Sequence, residues 1–338
     1  KIMEKVTGIK SVDFKIKASG HGVVNWNGST ELKTLIDGTW KTVTNHNMPK
    51  LRGYTNKKLA SNDKGEKFET LKEANEVNFD DTPLYISQNC VRYHLFKDDV
   101  INWQHPKIHE NVDKVLCSMT GLLRGYVIPK NENKRTSPLL LTDFLEIGKK
   151  GNFEQLGRAG SKEKQETKSG KDKSNSLFSK TTFGDTEYIA YGSINIEQLQ
   201  FIALSNNFGQ EAIQITTDKE GVELAEKIES YIKSLDFAHG DIKATYQNNY
   251  VRKGTIFAEG QKGILLNEYA IDTLVKQILN MIENLGFTQA KGYMYVEDIE
   301  VDYNNFKQPK DMFRIKNNSN EINPQKNEPY AIYFQQGE

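Results

Sequence analysis

The sequence predicts an α+β domain with a split βαβ order. Alternating strand patterns stand near both ends, two long amphipathic helices lie between them, and polar insertions interrupt the rest. A chain of 338 residues is long enough to bury a sizeable core without staples, and 1–338 reads as one elaborated domain.

Taken in order, Val12-Asp13-Phe14-Lys15-Ile16-Lys17 alternates with the period of a half-buried strand, placing Lys15 and Lys17 on the solvent face. Gly20-His21-Gly22 and Gly28 bracket Val23-Val24-Asn25-Trp26, which reads as a second short strand or a close backbone approach to a ligand. Residues 55–78 are rich in Lys, Glu and Asn, so 55–82 is expected to be an irregular, exposed insertion. Ile108, Val112, Val115, Leu116 and Met119 fall at helical spacing and stop at Gly121, predicting a helix of about three turns.

The run 160–176 is almost all Lys, Glu, Ser and Gly. It cannot bury enough apolar surface to order itself, and is expected to be a mobile loop on a projecting arm spanning 151–185. Helices are predicted over 218–235, with Asp218 as N-cap, and over 267–285, with Asn267 capping the start and Gly286 closing the end. Residues 292–302 alternate again as a strand. The tail 317–338 starts polar, and Tyr330, Ile332, Tyr333 and Phe334 can dock it back on the body.

Charge gives a mixed message: 45 basic residues balance 45 acidic ones, which argues against a surface uniformly suited to a polyanion. The distribution is uneven, however. Arg158, Lys162, Lys164, Lys168, Lys171, Lys173 and Lys180 stand against only Glu163, Glu166 and Asp172, so a basic groove on a neutral body is compatible with the total. The two cysteines, Cys90 and Cys117, form no C-x-x-C pair and read as buried, reduced thiols of a cytoplasmic protein. No stretch has signal-peptide character or approaches the roughly 18 apolar residues of a membrane span.

Enzyme signatures are missing. There is no H-E-x-x-H, G-x-S-x-G or Walker A motif, and Gly20-His21-Gly22 lacks the third glycine of a dinucleotide fingerprint. His105 and His109 share helical spacing without the glutamate a zinc protease needs, and Asp80-Asp81 and Asp298 read as turn or cap residues rather than Mg²⁺ ligands. No metal or cofactor is called for.

The nucleic-acid signals agree with one another. Lys291-Gly292-Tyr293-Met294-Tyr295-Val296 partly matches the aromatic strand motif whose rings stack on unpaired bases. Basic residues adjoin aromatics or glycines at Lys50-Leu51-Arg52-Gly53-Tyr54, Arg92-Tyr93-His94, Arg124-Gly125-Tyr126 and Tyr250-Val251-Arg252-Lys253-Gly254. That pairing suits phosphate contact, stacking and close backbone approach.

At these same stretches the sequence resembles the repeated backbone subunit of the Cascade complex in type I-F variant CRISPR systems. The resemblance runs through 5–17, Gly20-His21-Gly22-Val23-Val24-Asn25-Trp26-Asn27-Gly28, 83–90, 134–141, 178–188, 250–257 and 289–296. It implies an RNA-recognition-motif-like (ferredoxin-like) palm over 1–54, 83–150 and 186–316, inserted finger and web elements, and a thumb hairpin at 151–185. It further implies a non-catalytic protein that polymerises along the crRNA spacer, binds its backbone whatever its sequence, and leaves bases free to pair with a target DNA strand. The expected partners are crRNA, further copies of the chain, the cap subunit at the 5′ handle and the crRNA-processing endonuclease.

The expected RNA-binding residues are Lys15, Lys17, His21, Asn25, Trp26, Arg52, Asn89, Arg92, Arg124, Lys134, Arg135, Arg252, Lys253, Lys291 and Tyr293, with Phe178, Lys180 and Phe183 at the thumb tip. Two alternatives stand beside this reading. One is a stand-alone single-stranded RNA-binding module; the other is a target-RNA nuclease using Asp37, in the loop 33–45.

Overall fold

The computed structural model describes residues 6–26, 31–44, 50–52, 57–71, 82–99, 101–148, 152–159, 176–289, 292–316 and 319–337. The chain is organised around one long strand, β1 (Ser11–His21), in which Phe14, Ile16 and Ala18 are buried while Lys17 and His21 are exposed. Two hairpins follow, β2 (Glu31–Ile36) with β3 (Thr39–Thr44), and β4 (Lys57–Ser61) with β5 (Lys67–Leu71).

The chain continues through β6 (Tyr85–Ile86), α1 (Gln88–Leu95), α2 (Val112–Leu116), β7 (Tyr126–Val127), β8 (Lys134–Arg135), β9 (Leu139–Leu141) and β10 (Phe144–Ile147). A third hairpin, β11 (Asn152–Ala159) with β12 (Ser176–Phe183), leads into β13 (Asp185–Asn195) and α3 (Ile196–Gln200). Then come β14 (Phe201–Ala203), α4 (Asp218–Lys233), β15 (Ala244–Arg252), β16 (Gln261–Leu266), α5 (Glu268–Glu283), β17 (Gly286–Gln289), β18 (Gly292–Asn304) and β19 (Phe334–Gln336).

The result is a mixed α/β fold dominated by antiparallel sheet. The main sheet runs β17-β18-β1-β13-β10-β6, with β9 also pairing β13. A second sheet runs β14-β16-β15-β19, so the tail returns to the body through Phe334, as its apolar residues predict. Helix α4 lies on β15 and α5 on β18, and one continuous core joins both sheets to the helices.

Most local signals act as the sequence implies, and the exceptions have physical causes. Asn267 caps α5 by accepting from the Ala270 amide at 3.0 Å. Thr217, not Asp218, caps α4: its hydroxyl accepts from the Glu220 amide, and the Glu220 carboxylate accepts from the Thr217 amide. Asp218 instead accepts the Tyr246 hydroxyl at 2.8 Å. Helix α5 ends at Asn284, and Gly286 opens β17 rather than closing the helix.

The three-turn helix expected over 108–119 is broken into a 3₁₀ turn (Ile108–Glu110), α2 and a π turn (Thr120–Arg124). Asp99 takes the Thr120 amide at 2.6 Å, so that donor does not extend α2, and the chain folds back so tightly that a Cβ on Gly121 would lie 1.8 Å from the Val115 carbonyl oxygen. The segment after Gly22 is not a strand of its own. It packs closely on the start of β18, where a Cβ on Gly292 would sit 2.7 Å from the Val23 nitrogen, an approach within the chain and not the expected approach to a ligand.

Within the expected irregular insertion, 57–71 is a paired hairpin with Lys57 and Glu69 bridged across it at 2.9 Å. Residues 160–175, expected as a mobile loop, and Asp80 and Asp81 lie outside the described residues. Cys90 and Cys117 are free but half-buried rather than buried, and burial pushes the Cys117 thiol up to about 11.

Two aspartates, Asp13 and Asp302, oppose each other across β1 and β18 with no exposed surface. Asp13 accepts from the Ser193 hydroxyl at 2.6 Å and from Asn304 Nδ2 at 2.9 Å. Even so, burial raises its pKa, and the Asp302 carboxylate adds to the shift. A carboxyl whose pKa is higher folded than unfolded stabilises the fold below the unfolded value of about 4, and loses that contribution as pH rises through the folded value. Asp13→Asn carries no such penalty. Its urea midpoint relative to wild type is therefore expected to shift in the variant's favour as pH rises from about 4 toward neutrality. A difference that stays flat with pH would contradict this placement.

Candidate nucleic-acid interface

The outward positions of the main sheet collect aromatic and charged groups along β1 and its two neighbours. His21 and Tyr293 are register partners whose rings stack at 6.1 Å and 23°, and Tyr295 continues the row from Tyr293 at 6.5 Å and 15°. Tyr293 and Tyr295 are 46% and 47% exposed, while Met294 and Val296 between them turn into the core. Strand alternation therefore makes a row of three rings with open faces. Asp185 Oδ1 lies 2.9 Å from His21 Nδ1 and orients that ring. Lys291, the first residue of the predicted strand motif, lies outside the described residues.

Further along β1, Lys17 meets Glu297 at 3.3 Å and Lys15 meets Glu300 at 3.2 Å. Such exposed pairs contribute about 0–1 kcal/mol, so an arriving phosphate can exchange for the carboxylate at small cost. Lys15 stands opposite Tyr191, itself 45% exposed. From His21 to Lys15 the strand covers about 20 Å, with aromatic rings at both ends and two ammonium groups between them.

Several expected contacts have internal work instead. Arg92 donates through Nη2 to the Leu139 carbonyl at 2.6 Å and to the Ser137 hydroxyl, and burial, helped by the neighbouring Arg124, lowers its pKa. Arg135 donates through Nη1 to the Phe201 carbonyl and through Nη2 to the Gln198 carbonyl, both at 2.9 Å, and burial pushes it down to about 10. Asn25 is buried and accepts the Ser87 amide at 2.8 Å, and Trp26 is half-buried with its indole N–H on the Val23 carbonyl. These groups hold the start of α1, the β9 edge and α3 in place.

Other basic residues are outward but paired: Arg52 with Asp143 at 2.9 Å, Lys134 with Glu211, and Arg252 through two bonds to Glu197. Asn89 is exposed on α1. The adjacent Lys134 and Arg135 and the sequence-distant Arg252 line one cleft of about 550 Å³ whose Phe208 and Phe257 are 74% and 70% exposed. Lys253 lines a smaller pocket of about 260 Å³ with Glu328 and Tyr330. Phe178, Lys180 and Phe183 lie on β12, opposite Gly157, Gln155 and Asn152 in the hairpin register; their side chains lie outside the described residues.

Tyr295 stands in the aromatic strand motif but not among the expected RNA-binding residues, and Tyr191 was not singled out from the sequence. The first stands two residues after Tyr293 on the same strand face, so parity alone identifies it. The second shares the outward face of β13 with Ile189, while Tyr188 and Ala190 are buried.

Among the described residues no three His, Cys, Asp or Glu side chains are placed to hold a metal ion, and no helix is long and apolar enough to cross a membrane. A family model described as Type I-Fv CRISPR-associated protein Cas7fv-like matches residues 8–337. A search of curated proteins returned no match.

Proposed function

The chain belongs to the Cas7fv-like family of type I-Fv CRISPR-associated proteins, whose match spans nearly its whole length, and from that premise we propose that it is the repeated crRNA-binding spine of the effector complex. The observation that carries this reading is the His21–Tyr293–Tyr295 row on the open face of the main sheet. Unpaired bases stack on such rings with little regard to their identity. The strand order β18-β1-β13-β10, antiparallel throughout and with α5 between β13 and β18, supports an RNA-recognition-type palm.

In this reading the β11–β12 hairpin is the thumb that reaches over the RNA and displaces one base at intervals. Copies stack along the spacer, the bases left exposed pair with the target DNA strand, and specificity belongs to the guide. The cap subunit at the 5′ handle and the processing endonuclease complete the complex. No catalytic step is proposed. Asp37 belongs to the Asp37-Gly38 turn of the β2–β3 hairpin, with φ of 52° and 71°, a conformation that explains the pair without chemistry.

Native mass analysis of the protein with guide-like RNAs of stepwise increasing spacer length tests the proposal. Copy number is expected to rise linearly with length, the slope giving the nucleotides per subunit. A copy number that stays at one overturns the assembly and leaves a stand-alone RNA-binding module.

A further inference from the structure

We infer that the groove between the β9–β13 edge and the segment 306–316 is a second site for single-stranded RNA, holding one unpaired base beside Tyr191 and Phe313 with its flanking phosphates on Lys310 and Arg314. The inference rests on the RNA-binding reading above and places a site that the aromatic row does not include.

The groove has a volume of about 570 Å³, within the ordinary range for small-ligand sites. Leu140 and Leu141 form its apolar wall, and Tyr191 and Phe313 present rings that are 45% and 37% exposed. Aromatic faces beside cations are the chemistry by which unpaired nucleotides are held.

Charge selects the occupant. Lys15, Lys17, Arg52, Lys134 and Arg252 all have carboxylate partners. Lys310 and Arg314 are exposed and have none among the described residues. Of the groove's acids, Asp311 is buried and turned onto the Gln308 amide at 3.3 Å, which leaves Glu321 to set against the two cations. Lys316, the third cation, is committed to the buried Asp302 at 3.5 Å. A polyanion with flat bases suits such a wall better than an acidic or apolar protein segment.

The wall is also preorganised. Phe306 and Phe313 hold φ of 53° and 52°, a left-handed conformation that is unfavourable for an aromatic residue and persists only where its surroundings impose it. Here the two rings pack edge to face at 5.0 Å, the Lys10 ammonium lies over Phe306 at 6.0 Å, Asn304 Oδ1 accepts the Phe306 amide at 3.0 Å, and Asn304 Nδ2 donates to the Asp311 carbonyl. The strain places Phe313 and Arg314 on the groove. Because Tyr191 opposes Lys15 in the sheet register, the groove continues the β1 track rather than standing apart from it.

The test compares the full chain with Lys310→Ala/Arg314→Ala and with Tyr293→Ala/Tyr295→Ala, using fluorescence anisotropy of labelled oligouridine over a series of salt concentrations. Loss of two phosphate contacts is expected to lower affinity about tenfold at low salt and to reduce the slope of log K against log salt by about 1.4. Photocrosslinks from 5-iodouridine RNA are expected on the peptides carrying Tyr191 or Phe313 in wild type and to be lost in the groove variant. Both cations are exposed, and thermal unfolding of the variant is expected to match wild type.

If wild type does not bind oligouridine, the spine reading and the groove fall together. If the tyrosine variant weakens binding while the groove variant keeps the wild-type slope and crosslinks, only the groove is overturned. If the groove variant keeps its RNA affinity but lowers copy number on long RNA, the groove is a contact between copies and the inference is likewise overturned.

Discussion

Alanine at both Tyr293 and Tyr295 is expected to weaken single-stranded RNA binding by about 30-fold or more while leaving the fold intact. Stacking on an aromatic side chain is worth about 1–3 kcal/mol per base, so two rings carry at least about 2 kcal/mol. The fold should tolerate the change because nearly half of each ring faces solvent, and the core contacts of this strand come from Met294 and Val296. The loss should be similar for oligouridine and oligoadenosine, since every base offers a flat face, and the salt slope should not move, since no charge is removed. Phenylalanine at both positions should restore most of the affinity. A full-affinity alanine variant, or a loss confined to one base sequence, would mean that the row is not a general stacking platform.

The second large effect concerns stability. Lys316 lies 3.5 Å from Asp302, with side-chain exposures of 11% and 0%, and Asp302 Oδ1 also accepts the Asn323 amide at 2.9 Å while its other oxygen has no partner. Lys316→Met keeps the apolar stem but leaves a buried carboxylate facing Asp13 across the sheet. Removing one partner of a buried pair costs about 3–5 kcal/mol, whereas replacing both is often nearly neutral. For a chain of this length, such a loss lowers Tm by roughly 4–7 °C, and Lys316→Met/Asp302→Asn should recover most of it. Calorimetry on the single and double variants checks the pair. Equal Tm values for Lys316→Met and wild type would show that the ion pair contributes nothing.

What was legible in the sequence follows from the range over which each signal acts. Asn267 as a cap, the strands about Lys15 and Tyr293, and the paired arm around the Lys-rich run depend on neighbours within a few residues. The Asp37-Gly38 hairpin turn was equally local, and was passed over as loop although the dipeptide is a strong turn signal. The expected cap at Asp218 missed by one residue, because Thr217 and Glu220 satisfy each other's amides and free Asp218 for Tyr246. The broken helix after Ile108 could not be read from spacing, since Asp99, 21 residues before Thr120, takes the donor that would have continued it.

The candidate site divides in the same way. Basic residues next to aromatics look alike in sequence whether they face solvent or carbonyl groups. Arg135 is held by carbonyls 63 and 66 residues away, and Arg92 by groups up to 47 residues away. Lys310 and Arg314 carry no flanking pattern that sets them apart, and their lack of carboxylate partners shows only in the structure, where Lys15, Lys17, Arg52, Lys134 and Arg252 are each paired.

By itself the sequence determined the family through its long matching runs, and through side-chain alternation and capping, which are properties of adjacent residues, it determined the strands about Lys15 and Tyr293, the two long helices and the outward aromatics after Gly292. The tertiary structure alone decided which strands lie beside β1. Ser193 and Asn304 reach Asp13 from 180 and 291 residues away, and this pairing brings His21, Lys15, Tyr191 and the groove of Lys310 and Arg314 onto one face. Long-range register is set by the burial of whole sheet faces at once, and no short stretch of residues carries that information.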